Sequence, residues 1–168
     1  MPTIAEQESA LLRAGPAVSV DIPTQALMAM PRVAEKYYSS IATLTTAASP
    51  VMLFRVTGLV LAKVVAEGSA LTSTSDTGTL AVGVTGATTA FLGTTTINTT
   101  NFPTAGAVWA GDTSPTLLAE VVSAASLTGA LTNSNIILTI ATNSMLTGSL
   151  RFCCIWQPIS ANGSVVAA

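Results

Sequence analysis

Beyond Glu67 the chain runs for 101 residues on only four charges, Asp76, Asp112, Glu120 and Arg151. A typical soluble domain is about a quarter charged, and a lone domain uses that charge to stay dispersed. A body this neutral is expected to turn much of its surface toward other protein subunits, although interfaces are not always more apolar than other surfaces. The other ten charges lie at or before Glu67. The chain therefore has a polar front and a nearly neutral body.

The same scarcity excludes whole classes of function. Six Lys and Arg spread over 168 residues make no basic surface for nucleic acid. With 49% hydrophobic residues the chain is too apolar to stay disordered. It has no histidine, so the commonest general base and metal ligand is missing. The most apolar stretch, residues 51–66, contains Arg55 and Lys63 and falls short of the roughly 20 apolar residues of a membrane span. No membrane partner is expected. Glu6 and Glu8 stand where a signal peptide would be basic, which speaks against such a leader.

A body that cannot use charge must be held by pattern. From residue 50 onward the signals are those of strands. Residues 51–66 (VMLFRVTGLVLAKVVA) read as one long strand or two short ones meeting near Gly58. Residues 69–78 read as a loop. Short β segments follow at 79–85, 87–92, 106–111, 115–123, 134–141 and 148–157, separated by Gly, Asn, Pro, Ser and Thr. In the last of these, alternation puts Leu150, Phe152, Cys154 and Trp156 on a core face and Arg151, Cys153, Ile155 and Gln157 on the other. Residues 165–168 follow a turn as an apolar tail. The expectation is an all-β body over residues 32–168, a β-sandwich or a jelly-roll or barrel-like fold.

Residues 1–31 form a separate N-terminal arm in this reading. Residues 3–14 have the spacing of a short helix, with Ile4, Leu11 and Leu12 near one face, and Gly15-Pro16 ends it. Pro16, Pro23 and Pro31 keep the rest extended. Such a helix is marginal alone in water. Either the arm is a free tail, or it docks on a partner through Ile4, Leu11, Leu12, Leu27, Met28 and Met30; docking is the favoured reading.

The chain offers little for chemistry. Without histidine only Lys36 and Lys63 are left to activate a hydroxyl, and Lys63 is read as a snorkelling strand lysine. Asp76, Asp112 and Glu120 fall in or beside loops, but their spacing matches no calcium loop, and solvated loop acids are the plainer reading. Adjacent Cys153 and Cys154 point to opposite faces of a strand, so they are read as reduced apolar residues. Trp156 reads as core. Trp109 stands beside a turn, where exposure and a stacking role are open, with packing favoured. No catalytic residue, metal or cofactor is expected.

One further pattern adds to this. Met30-Pro31-Arg32-Val33-Ala34-Glu35-Lys36 opens the body. Phe54-Arg55-Val56-Thr57-Gly58 enters an apolar run, residues 135–141 (NIILTIA) precede the final strand, and that strand closes on Trp156-Gln157-Pro158-Ile159-Ser160. In this order the elements resemble small β-rich virion proteins of tailed bacteriophages, of the capsid decoration (cement) type. The resemblance covers residues 30–168; the thirty residues before it depart from the pattern. It implies a protein made in the host cytoplasm that sits on the capsid exterior. Its partners would be the major capsid protein and further copies of itself, with a trimer matching three-fold sites. Two other classes stay open. One is a receptor- or glycan-binding head or tail appendage using Trp109 or a loop acid. The other is a hydrolase using Asp76, Asp112 or Glu120.

Overall fold

The computed structural model describes residues 30–111 and 129–168. The chain divides into two units, Met1–Pro31 and Arg32–Ala168. The second unit is all-β, as the alternation predicts.

Among the described residues ten strands follow in order: β1 (Arg32–Tyr38), β2 (Val51–Thr57), β3 (Leu59–Ser73), β4 (Thr79–Val84), β5 (Ala87–Thr96), β6 (Ala107–Ala110), β7 (Gly129–Thr132), β8 (Ile136–Ala141), β9 (Met145–Pro158) and β10 (Ser164–Ala167). The long apolar stretch is two strands, and Gly58 is the joint. It adopts φ +66°, and a Cβ there would sit 2.6 Å from both Ser160 Oγ and Asn162 Oδ1. Only glycine fits that corner. No helix among the described residues is long and apolar enough to cross a membrane.

Several elements depart from the sequence reading. The segment expected to be a loop, 69–78, is half strand, because β3 runs on to Ser73 against β9. Its composition is loop-like, but its backbone bonds to a partner strand supplied from elsewhere in the chain. β1 lies where no strand was expected and pairs all seven residues with β9, from Arg32 opposite Trp156 to Tyr38 opposite Leu150. The apolar tail is β10, paired with β2. β7 was likewise not expected. The strand predicted at 115–123 lies outside the described residues, as does the short helix predicted over 3–14.

The strands form two antiparallel sheets. The first runs β1-β9-β3, with β6 and β7 sharing the far edge of β3; the second runs β10-β2-β8-β4-β5. The β3–β9 pair is the spine of the first sheet, continuous in register from Val60 opposite Pro158 to Ser69 opposite Ser149. Between the sheets lies one core. The first sheet contributes Val60, Ala62, Val64, Ala66, Leu150, Phe152, Cys154 and Trp156; the second contributes Leu80, Val82, Ile136, Leu138 and Ile140. A register shift between Met52 and Phe54 lets neighbouring Leu53 and Phe54 both be fully buried, which strict alternation would forbid. Ile41, Leu44, Ile97 and Phe102, from the connections, complete the core.

Both sides of the sandwich are stitched. On one, Leu92 of β5 bridges to Gly111, and the Gly93 N–H donates to the Gly111 carbonyl at 3.0 Å. On the other, Lys36 Nζ of β1 donates to the Ala168 backbone oxygen beyond β10. The Ala168 N–H in turn donates to the Leu53 carbonyl at 3.0 Å.

Candidate binding surface

Alternation along a strand decides which side chains the first sheet turns outward. Since even-numbered residues of β9 and β3 fill the core, the odd ones line the outer face. The ladder registers arrange them in rows: Tyr37–Arg151–Glu67–Val108, then Glu35–Cys153–Val65–Ala110, then Val33–Ile155–Lys63. A solvated sheet face is normally polar. Here Val33 and Tyr37 are 60% and 56% exposed, with half-buried Leu61, Val65 and Ile155 beside them.

Four charges are set among these apolar groups: Glu35, Lys63, Glu67 and Arg151. Two are acidic and two basic, so the face is neutral in sum. Arg151 lies over the Tyr37 ring at 5.4 Å. Along β1, Arg32 covers the Trp156 ring at 5.2 Å and Lys36 the Tyr38 ring at 5.6 Å. Each cation thus gains a ring face as well as solvent.

The cysteines behave as expected of apolar residues, with one difference. Cys154 is fully buried, whereas Cys153 is only half-buried, on the outer face. Both are free thiols. Burial, with Cys153 adjacent, pushes the Cys154 thiol up to about 12. Burial and then the Glu35 carboxylate push Cys153 up as well; its Sγ lies 3.9 Å from Glu35 Oε1. A thiol held neutral is a poor nucleophile and a poor metal ligand.

Among the described residues the remaining sequence candidates do not converge. Trp109 is completely buried, edge-on to Phe102 with centroids 6.3 Å apart, so the exposure left open for it is not realised. The Phe102 loop supplies the cover that local sequence did not reveal. Asp76 sits exposed in a turn at φ +52°. Asp112 and Glu120 lie outside the described residues. Lys63 stands half-buried on the outer face, as a snorkelling lysine would. Of the arm residues, Met30 is described and is 62% exposed; Ile4, Leu11, Leu12, Leu27 and Met28 lie outside the description. Among the described residues no three His, Cys, Asp or Glu side chains come together as metal ligands.

Two hollows among the described residues are small. One of about 130 Å³ is lined by Tyr37, Glu67, Gly68, Ser69, Ser149 and Arg151. Another of about 250 Å³ lies by Lys63, Phe91 and Gly111. Both fall below the roughly 300–1,000 Å³ of small-molecule sites. The feature that sequence reasoning missed is the outer face as a whole. Half of it was visible in β9, but β1 was not recognised as its neighbour. No family model matches the chain, and neither a curated protein nor a solved structure matches it.

Proposed function

We propose that the chain is a structural virion protein of a tailed bacteriophage, a capsid decoration protein that binds the outer surface of the major capsid protein shell and stabilises the head. The observation that carries this reading is the charge-poor β body itself, two antiparallel sheets with four charges in the 101 residues beyond Glu67. The order of the sequence elements from Met30 to Ser160 supports it. Such a protein acts through binding energy and performs no reaction. A contact of standard size, about 1,600 Å², suffices for stable attachment, and many equivalent contacts on one shell add through avidity.

The test is a count. Quantitative mass spectrometry of purified particles from the source should find this chain in numbers comparable with the major shell protein. A count of a few dozen or fewer would overturn decoration in favour of an appendage at a vertex, neck or tail. Absence from particles would overturn every virion reading.

A further inference from the structure

We propose that the outer face of the first sheet is the contact between two copies of this chain, packed face to face about a two-fold axis that runs along the strands between β9 and β3. The placement of charge selects this axis. Such an axis exchanges the β9 and β3 columns, so each residue of β9 faces the partner's residue in the same row of β3. Arg151 and Glu67 share a row. The operation therefore sets Arg151 against Glu67 of the second copy and Glu67 against its Arg151. It also exchanges the outer columns, which carries Glu35 of the second copy to the edge beside Lys63, one strand and one row away. That diagonal is about 8 Å in the plane of the sheet, and the gap between facing sheets lengthens it to roughly 11 Å between Cβ positions, which an extended Lys and an extended Glu together span. All four charges on the face then meet opposite charge, and Cys153 packs against Val65 in the row between. A two-fold across the strands through the Glu35 row would instead set Glu35 against its own copy.

The face is also large enough. Four strands about 4.8 Å apart and nine residues at about 3.3 Å give a flat area of about 600 Å², and more as corrugated accessible surface. A standard interface takes about 800 Å² from each partner. Facing sheets pack about 10 Å apart, a gap that two opposed layers of side chains fill. A shell surface has no reason to match a pattern balanced about its own midline, whereas a second copy carries that pattern by symmetry.

The test is sedimentation velocity on the full chain at tens of micromolar, with a charge swap. The wild type should be a dimer. Arg151→Glu should raise the dimer dissociation constant at least about tenfold, and adding Glu67→Arg should bring it back to within about threefold. Lys63→Glu, alone and with Glu35→Lys, gives an independent second cycle should the first variant fold poorly, as judged by near-ultraviolet circular dichroism. A monomeric wild type, as when the chain's own residues 1–29 cover the face, would overturn the proposal. So would a trimer, because this axis closes at two copies, or a dimer indifferent to both single reversals.

Discussion

Cys153 and Cys154 differ by one position and are separated by the thickness of a sheet. Cys154 belongs to the core, and its thiol is held neutral in the fold up to about 12. An unfolded thiol ionises near 8.5. Because the folded value is raised, the stabilisation is complete below the unfolded value and is lost as pH rises above it toward the folded one. Urea melts of wild type and Cys154→Ala between about pH 7 and about pH 10 should show the wild type losing relative stability only in the alkaline part of that range. In the native state at neutral pH both thiols should resist alkylation, and both should react once the chain is unfolded. Backbone conformation is equally exacting nearby. Gly148 adopts φ +112°, and a Cβ there would lie 2.7 Å from the backbone oxygens of Ser69 and Ala70. Gly148→Ala should cost at least about 2 kcal/mol. Across the ladder Ala70 itself holds φ +52°. There Ala70→Gly should be neutral or stabilising by up to about 1 kcal/mol, read from the same denaturation midpoints.

At the scale of elements, β3 and β9 organise the fold, since β1, β6 and β7 all pair onto one or the other. Phe152, at the centre of β9, is fully buried and meets Tyr38 of β1 edge-on, with centroids 6.4 Å apart. Phe152→Ala should cost about 3–5 kcal/mol in equilibrium unfolding. The period-two alternation of β9 could be read directly, because it depends on a local side-chain repeat; at Gly58 the sequence left one long strand or two short ones open, and the φ of +66° decided for two. β1 could not be read directly. Its RVAEKYY sequence alternates poorly in hydrophobicity, and it becomes a strand because β9 offers it a free edge. The same holds for residues 69–73 and for β10, whose strand character comes from a partner remote in the chain. Trp109 is another case: Phe102, which covers it, arrives from a connection that has no periodic signal of its own.

For the whole molecule, the arm and the body can be tested separately on particles. If residues 1–29 grip the shell through Ile4, Leu11, Leu12, Leu27 and Met28, removing them should weaken particle binding by at least about tenfold, as lost avidity requires. The body should keep its melting temperature. Truncated protein that binds and protects particles as well as the full chain would end the arm hypothesis and leave the body as the part that grips the shell. The residues themselves determined the all-β class, the core side of β9 and the neutrality of the body, since each follows from composition or from neighbours within a few positions. Only the tertiary structure decided that β1 lies beside β9, that Trp109 is enclosed, and that Glu35, Lys63, Glu67 and Arg151 share one face. The β1–β9 and β10–β2 pairings join residues more than one hundred positions apart, and local sequence carries no record of which remote edge each strand will meet.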